Sequence, residues 1–351
     1  MKAIFSLKHV SRLTDQTGII EHCTFTTPNR KEGYCIDDNA RALLACLKVG
    51  KREKKTAQQL IHIYLGFLVR ACDKKGFHQD LDPDLTWKDD AGVEDGFGRA
   101  MVSLGEAILS APQDNQRSTA AHIFDRQAYL IPTIKYLRVM AQAIIAISKR
   151  IKFKGKRKTN YFGKKPLDLK KELIVLSDKL VKNYQKKSSR SWKWFEDIIA
   201  YDNGRLPYSL FIAFQVTKNK KYLKIAKESL DFLIKQTYDS SKNCFSFTGN
   251  KGWHRKNKKP AVFDQQPIEA GSMVEVCAKA YEVLKDPKYL HFAETAFLWY
   301  SGKNIVGLSM IDNITGGVYD GLEPQKVNEN EGAESILSYI LACQALKEIK
   351  K

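Results

Sequence analysis

Short clusters of carboxylate and carboxamide side chains recur along the chain, each directly before apolar residues with helical spacing. Five such clusters begin at Ile36, Glu94, Asp202, Asp264 and Asn328. Asp and Asn are favoured helix N-caps, so we predict that each cluster lies at the start of a helix. If those helices are parallel neighbours, their first turns bring many carboxylates together on one surface, at the N-terminal ends of the helices. Such a surface could supply the acid and the base that cleave a glycosidic bond.

Cleavage of a glycosidic bond requires a proton donor and a second carboxylate that activates water or attacks the sugar. We predict Asp38 or Asp95 as the donor, and Asp197 or Glu269 as the base. We favour inversion, which requires ~6.5–9.5 Å between the two carboxyl groups, against ~5–5.5 Å for retention. Helix capping or ion pairing is the alternative role of each of these acids.

Aromatic, amide and basic side chains near the clusters could bind a sugar. Tryptophan rings stack on sugar rings, and four of the five tryptophans fall on expected loops. An arginine that follows a cluster could keep a carboxylate ionised, or could tie down the loop before its helix. The predicted substrate-binding residues are Trp87, Arg99, Trp192, Trp194, Asp202, Arg205, Trp253, His254, Gln265, Gln266 and Glu331.

Histidines in the expected loops are compatible with a second reaction, the epimerisation or isomerisation of a sugar. His78 or His254 could exchange a proton near neutral pH, as a sugar epimerase or isomerase requires. That reading predicts two histidines facing each other across a cavity. A third reading is a glycan-binding protein without catalytic activity.

Helical periodicity extends along the whole chain and predicts an all-α fold. Six largely apolar helices, five opened by the clusters and one around residues 136–147, alternate with amphipathic stretches near residues 54–72, 117–130, 168–187, 220–237 and 287–301. A period of roughly 50–60 residues predicts an (α/α)6 toroid, either closed by the N-terminal segment or incomplete. An open solenoid is less favoured, because solenoid turns are short and uniform.

The chain is therefore predicted to be one (α/α)6 toroid domain over residues 1–351. We expect an N-terminal arm over residues 1–35 and a basic inter-helix loop over residues 150–166. Long loops at residues 73–93, 188–202, 238–266 and 303–331 are expected on the face where the inner helices begin. Long ordered loops usually carry function.

The charge, the cysteines and the hydropathy of the chain limit which partners, metals and cofactors we expect. The formal charge of +19 is concentrated between Lys149 and Lys193, where seventeen basic residues stand against three acidic ones. Solvated lysine-rich loops explain this excess better than nucleic-acid binding does, so we expect no nucleic-acid partner. The seven cysteines lack metal-ligand spacing, and we predict free thiols, no metal and no cofactor. Neither a membrane-spanning run nor a secretory signal is recognisable, and we expect a cytoplasmic protein.

Four motifs resemble bacterial proteins of the six-hairpin glycosidase-like superfamily. They are HVSRLTDQTGI (His9–Ile19), GYCIDDNARAL (Gly33–Leu43), WFED with YDNGRLP (Trp194–Asp197 and Tyr201–Pro207), and DQQP (Asp264–Pro267). Proteins with this set are often labelled glycosyltransferases, because a similar region is found attached to a GT-B sugar-transfer domain. This chain resembles the helical part alone, since it lacks the glycine-rich loops and parallel sheet of such a domain.

The resemblance implies a carbohydrate-active protein with an oligosaccharide substrate, and it suggests a glycosyltransferase partner. Our leading prediction is a glycoside hydrolase-like enzyme that acts on a short glycan. The alternatives are a sugar epimerase or isomerase, and a non-catalytic glycan-binding partner of a glycosyltransferase.

Overall fold

The computed structural model describes residues 5–153 and 166–350. Most of the predicted basic loop, residues 154–165, lies outside the described residues. The described residues contain twelve α-helices: α1 (Lys8–Leu13), α2 (Ile36–Leu47), α3 (Lys54–Ala71), α4 (Asp95–Ser110), α5 (Asp114–Gln127), α6 (Leu137–Lys152), α7 (Leu169–Lys187), α8 (Arg205–Thr217), α9 (Lys220–Thr237), α10 (Pro267–Leu284), α11 (Pro287–Leu298) and α12 (Ala333–Ile349). The prediction of an all-α protein is confirmed.

The six predicted inner helices are α2, α4, α6, α8, α10 and α12, and the five predicted outer ones are α3, α5, α7, α9 and α11. Five of the inner helices begin at or just after an acidic or amide cluster, as predicted. Pro267 occupies the first turn of α10, where a missing backbone N–H costs nothing. In α5 a capping box joins Gln113 and Gln116, so this helix starts three residues before the predicted boundary at 117.

The described chain divides into two compact units. The N-terminal half comprises residues 10–22 and the described part of residues 28–178, and the C-terminal half comprises residues 5–9, 23–27 and 179–350. Within the N-terminal half, α4 packs between α2 and α6, with α3 and α5 outside them. Within the C-terminal half, α10 packs between α8 and α12, with α9 and α11 outside. Each half is thus a row of three inner helices.

Close packing in each row follows from small residues. In the N-terminal half, α4 is buried from Gly96 to Ile108. A Cβ placed on Gly98 would lie 1.9 Å from the side-chain oxygen of Gln142 in α6. In the C-terminal half, a Cβ on Gly271 of α10 would lie 3.0 Å from the carbonyl oxygen of Ser338 in α12. Each buried leucine or isoleucine along these seams contributes about 1.5–3 kcal/mol of hydrophobic stabilisation.

The long loops carry short strands that the periodicity did not predict. They are β1 (Cys23–Thr24), β2 (Thr27–Pro28), β3 (Tyr34–Cys35), β4 (Cys72–Asp73), β5 (Gly76–Phe77), β6 (Asp80–Leu81), β7 (Ile198–Ile199), β8 (Tyr238–Asp239), β9 (Cys244–Phe245), β10 (His254–Arg255), β11 (Gly321–Leu322) and β12 (Val327–Asn328). They form two-stranded pairs such as β3–β6 and β7–β10, which fold the loops back over the helix starts. No helix among the described residues is long and apolar enough to cross a bilayer.

Candidate functional site

The start of α2 holds two adjacent aspartates. Cys35 ends β3 and precedes the helix in an extended conformation, so Asp37 and Asp38 fall in its first turn. There the partial positive charge of the helix N-terminus stabilises anions. Asp38 is almost fully buried, with 3% of its side chain exposed, whereas 18% of the Asp37 side chain is exposed.

Two arginines pair with these aspartates. Arg41, one turn along α2, donates from Nη1 to Oδ1 of Asp38 at 2.7 Å. Arg99 of α4 donates from Nε to Oδ2 of Asp37 at 2.9 Å, and Gln79 donates to the other oxygen of Asp37 at 3.3 Å. Arg99, which sequence analysis assigned to substrate binding, is therefore held by a carboxylate on a neighbouring inner helix.

Glu21 joins this group, and sequence analysis missed it. Its backbone N–H donates to the carbonyl of Gly33, two residues before β3 ends, which brings the loop over the start of α2. Burial, reinforced by the charges of Asp38, Asp80 and Asp37, raises the pKa of Glu21 to about 7. At neutral pH a substantial fraction of Glu21 therefore carries a proton beside carboxylates that are paired with arginine.

Glu21, Cys35 and Asp38 form a set of possible metal ligands in the described part of the chain. One ligand atom from each lies within 4.8 Å of the others. The Cys35 thiol donates to Oδ2 of Asp38 at 3.3 Å, and burial raises its pKa well above the ordinary value. A metal ion would require the thiolate, whereas burial in these surroundings favours the protonated thiol.

Asp95 and Trp87 also belong to the N-terminal half. Asp95 is the first residue of α4 and is half-buried. Trp87 is half-buried too, and it stacks on the ring of His78 at 4.9 Å between centroids. Nδ1 of His78 lies 2.7 Å from the carbonyl oxygen of Asp89, which fixes the orientation of this aromatic pair. Trp87 thus keeps part of its surface available to a ligand.

In the C-terminal half, Glu269 is bound to the turn that precedes α8. One carboxylate oxygen accepts the backbone N–H of Asp202 at 2.5 Å, and the other accepts from Nδ2 of Asn203 at 2.7 Å. Arg205 bridges Asp202, at 3.4 Å, and Glu275, at 2.8 Å. The structure therefore brings three predicted site residues together, and it uses Glu269 to anchor α10 to the start of α8.

Gln265 and Glu331 are buried and have structural partners. The Gln265 side-chain oxygen accepts from the backbone of Phe247 at 3.0 Å and from the indole of Trp299 at 3.2 Å. Glu331 accepts from the hydroxyl of Thr315 at 2.7 Å and lies beside buried His9. Neither side chain is available to sugar hydroxyls in this structure.

Trp192 and Trp194 are likewise covered. The ring of Trp194 is fully buried and packs against Phe195 and Phe232. Trp192 is 5% exposed, and its indole N–H donates to the carbonyl of Glu196 at 2.7 Å. These rings hold the loop between α7 and α8, so they are not free to stack on a sugar as predicted from their position beside two acids.

Asp197 lies on the surface, with 54% of its side chain exposed. A hydrogen bond from Lys187 lowers its pKa, and Lys256 lies 3.9 Å away. An exposed carboxylate between two lysines lacks the dry environment that tunes a catalytic base.

Trp253, His254 and Gln266 occupy the loops of the C-terminal half. Trp253 is half-buried on a left-handed backbone (φ 52°) and tilts against Tyr201. His254 is 7% exposed beside Trp192, and burial lowers its pKa. Gln266 is half-buried at the N-cap of α10. Of the three, Trp253 and Gln266 retain exposed surface.

The chain matches no protein-family model, and no curated protein matches it. Solved structures match it along nearly its full length. The cellobiose 2-epimerase of Bacillus thermoamylovorans covers 99% of this chain and 96% of its own, with a TM-score of 0.74 and 15% identity. A D-mannose isomerase covers 98% and 95%, with a TM-score of 0.72 and 11% identity.

A third similar structure is an inactive variant of an alpha-1,6-mannanase of Salegentibacter, in which two adjacent aspartates are replaced by alanine. It is complexed with alpha-1,6-mannotetrose, and the match covers 97% of this chain and 96% of that chain, with a TM-score of 0.62 and 10% identity. These likenesses confirm the predicted fold class, the (α/α)6 toroid.

Proposed function

We propose that this chain is a glycoside hydrolase-like enzyme that cleaves a short glycan with carboxyl groups at the start of α2. The observation that carries the proposal is the pairing of unlike carboxyl groups. Glu21 has a pKa raised to about 7, while Asp37 and Asp38 are bound by Arg99 and Arg41. One carboxyl group can then act as an acid while another acts as a base at the same pH.

In this proposal Glu21 protonates the glycosidic oxygen as the bond to the anomeric carbon breaks. Asp37, the more exposed aspartate, takes a proton from the attacking water or attacks the anomeric carbon itself. Asp38 stays buried on Arg41, and its charge helps to keep Glu21 protonated. The proton donor that we predicted from sequence, Asp38 or Asp95, is thus replaced by Glu21.

The separation of the groups bears on stereochemistry. Oxygen atoms of Glu21 and Asp38 lie within 4.8 Å of each other. This contact is closer to the ~5–5.5 Å between carboxyl groups of retaining enzymes than to the ~6.5–9.5 Å that leaves room for a water molecule in inverting ones. If Asp38 rather than Asp37 were the partner of Glu21, the geometry would therefore favour retention over the inversion expected from sequence.

The mannanase variant supports the choice of an adjacent aspartate pair. Loss of two adjacent aspartates accompanies loss of activity in that protein. This chain has such pairs at Asp37–Asp38 and at Asp89–Asp90. Asp89 accepts hydrogen bonds from the backbone of Gln79 and Asp80 at 2.8–3.0 Å, which is a loop-fixing role. Asp37–Asp38 is consequently the pair proposed to contain the reacting carboxylate.

A sugar epimerase or isomerase is the second candidate, supported by His254. Because burial lowers the pKa of His254, its imidazole is neutral at physiological pH and able to accept a proton. Similarity to the cellobiose 2-epimerase and the mannose isomerase agrees with this chemistry. Incubation with free aldoses in D2O separates the candidates, since proton exchange at carbon would introduce deuterium without breaking a glycosidic bond.

The decisive experiment is incubation of the full chain with cellobiose and alpha-1,6-mannotetraose within a panel of neutral oligosaccharides, followed by mass analysis. We expect hydrolysis by the native chain and about a 10²–10⁴-fold lower rate in Glu21→Gln, the usual contribution of a general acid. Glu32→Gln is the matched control for loss of a carboxylate, since Glu32 is exposed and its charge raises the pKa of Glu21 less than those of Asp38, Asp80 and Asp37 do. Absence of turnover would refute the hydrolase proposal, and equal rates of hydrolysis in Glu21→Gln and native protein would refute the role of Glu21 as proton donor.

Two broader expectations accompany this proposal. We propose a cytoplasmic location, and we propose that a glycosyltransferase is a physical partner, on the strength of the motif resemblance. Binding of oligosaccharides without turnover would favour the non-catalytic partner over the enzyme.

A further inference from the structure

A cleft of about 600 Å³ lies in the C-terminal half, beside the β11–β12 pair. Its volume falls in the range of ~300–1,000 Å³ that is typical of ligand sites. Thr24, Phe25, Gln325, Asn328 and Glu329 are among the residues that line it. None of these residues was singled out by sequence analysis for substrate binding.

Phe25 is unusual in both conformation and exposure. It is the first residue of the two-residue turn between β1 and β2, and its φ is +55°. Tight hairpin turns of this kind favour glycine or asparagine at such positions, because a bulky side chain is strained there. Yet the phenylalanine ring is 61% exposed, so burial does not offset the strain. Strain that lacks a packing benefit commonly marks a functional position.

The backbone around Phe25 is firmly held. Its carbonyl accepts the N–H of Glu331 at 3.1 Å. Two residues earlier, the N–H of Cys23 donates to the side chain of Asn330 at 2.8 Å, and Asn330 in turn binds Asp320. Since these bonds fix the turn against the segment that follows β12, the ring of Phe25 is presented to the cleft on a preorganised support.

The polar side of the cleft suits hydroxyl groups better than charged groups. Gln325 and Asn328 offer carboxamides, and Glu329 offers a carboxylate. The remaining charges, Glu323 and Lys326, face each other at 3.5 Å and largely neutralise one another. An anionic ligand would meet the unbalanced charge of Glu329, in contrast to the basic character of the chain as a whole.

We infer that this cleft binds a neutral oligosaccharide, with one sugar ring stacked on Phe25 and its hydroxyls bonded to Gln325, Asn328 and Glu329. An aromatic face surrounded by amide and carboxylate groups is the combination that recognises the apolar face and the polar rim of a sugar. The inference rests on the proposed function for its substrate class, and it adds a binding site and a preference for uncharged glycans.

The test is calorimetric titration of the full chain with alpha-1,6-mannotetraose, cellobiose and trigalacturonic acid. A Glu21→Gln background prevents turnover during the titration. We expect at least one neutral probe to bind more tightly than the acidic one. Phe25→Ala and Phe25→Gly should raise the dissociation constant of that probe about tenfold, the loss expected for one stacked ring, whereas Phe25→Trp should retain binding. Tyr136→Ala, which removes another exposed aromatic side chain (56%), is the matched control and should bind as the parent does.

Phe25→Gly guards against misfolding, because glycine accepts φ +55° without strain. This variant should melt at or above the temperature of the parent while it binds more weakly. The inference is overturned if no neutral probe binds, or if Phe25→Ala and Phe25→Gly bind as the parent does. Hydrolysis by the native chain with no effect of Phe25 would refute this site alone, whereas Phe25-dependent binding without hydrolysis would refute the enzyme and leave the site.

Discussion

The two halves of the chain open their inner helices with the same kind of cluster but use it differently. In the N-terminal half, Asp37 keeps 18% of its side chain exposed, and Glu21 has a pKa raised by neighbouring carboxylates. In the C-terminal half, Glu269 and Glu331 are 7% and 0% exposed, and their oxygens accept bonds from nearby turns. An acidic residue ahead of a helix is therefore compatible with reactivity or with anchoring, and its neighbours decide which.

The difference lies in the donors that each loop supplies. The turn before α8 offers a backbone N–H and the amide of Asn203 to Glu269, and both oxygens of this carboxyl group accept a hydrogen bond from it. At α2, Arg41 is committed to Asp38, and the charges that act most strongly on Glu21 are those of Asp38, Asp80 and Asp37. Neighbouring negative charges raise the pKa of Glu21, so Glu21 can keep a proton near neutral pH. Acid catalysis needs such a proton.

The largest expected effect would come from removing the exposed acid of the N-terminal half. Asp37→Asn keeps the shape and can still bond Gln79, but it loses the charge that acts as base or nucleophile. We expect the rate of oligosaccharide hydrolysis to fall about 10²–10⁴-fold, which steady-state kinetics would measure. Circular dichroism should show an unchanged fold. If Asp37→Asn kept the native rate while Glu269→Gln lost it, the roles of the two halves would be reversed.

A smaller effect is expected on stability in the C-terminal half. Glu269→Ala strands the N–H of Asp202 and the amide of Asn203 in a buried position, so we expect a loss of about 2–4 kcal/mol in the free energy of unfolding. Chemical denaturation would measure it. Glu282→Ala, on the exposed face of the same helix, is the control and should change stability by about 0.5 kcal/mol or less. Equal losses in both variants would mean that Glu269 does not anchor α8.

The smallest expected effect concerns pH. The pKa of Glu21 in the folded state, about 7, lies above its value of 4.5 when unperturbed, so the folded chain holds the proton more tightly than the unfolded chain. Below pH 4.5 Glu21 is protonated in both the folded and the unfolded state, so it does not reduce the free energy of unfolding. As pH rises through 7, Glu21 loses its proton in the folded state too, and the folded state becomes progressively less stable. We therefore compare the free energy of unfolding of Glu21→Gln with that of native protein at each pH. The difference should favour Glu21→Gln more at pH 8 than at pH 5, by about 1–2 kcal/mol after solvent screening.

Denaturation curves of native protein and Glu21→Gln at pH 5 and pH 8 would measure this difference. Glu32→Gln serves again as the control, with a difference that should depend on pH less than that of Glu21→Gln. A pH-independent difference for Glu21→Gln would show that Glu21 titrates as an ordinary surface glutamate, and the distinction between the halves would disappear.

The helices could be predicted from the sequence, because the spacing of apolar residues that indicates a helix is local and periodic. The outer helix expected near residues 54–72 spans Lys54–Ala71, and the one expected near 220–237 spans Lys220–Thr237. The strands were not accessible, since two-residue strands such as β7 and β10 carry no periodic pattern. They depend on contacts between residues such as Ile199 and His254, which are far apart in the chain.

The positions of the candidate residues along the helices were predictable from the sequence, whereas their burial and their partners were not. Asp38, Arg99, Asp202 and Glu269 lie at helix starts as expected, because each cluster directly precedes an apolar repeat in the sequence. The N-caps of these helices are Cys35, Glu94, Gly204 and Gln266, and none of them forms a side-chain cap hydrogen bond. Burial by loops depends on residues elsewhere in the chain, so the sequence did not show that the side chains of Trp194 and Gln265 are covered. Glu21 gave no signal, since it is a single glutamate in a loop. Its role depends on the hydrogen bond to Gly33 that places it near Cys35 and Asp38.

His9 and Phe25 contact Glu331 just before α12, although the intervening residues 10–22 belong to the N-terminal half. The polypeptide is thus interleaved, and no single cut divides it into its compact units. A gene truncated to residues 179–351 would encode a fragment whose last inner helix lacks these contacts at its start. Recombination between relatives of this chain would have to transfer residues from both ends together to exchange the C-terminal half intact.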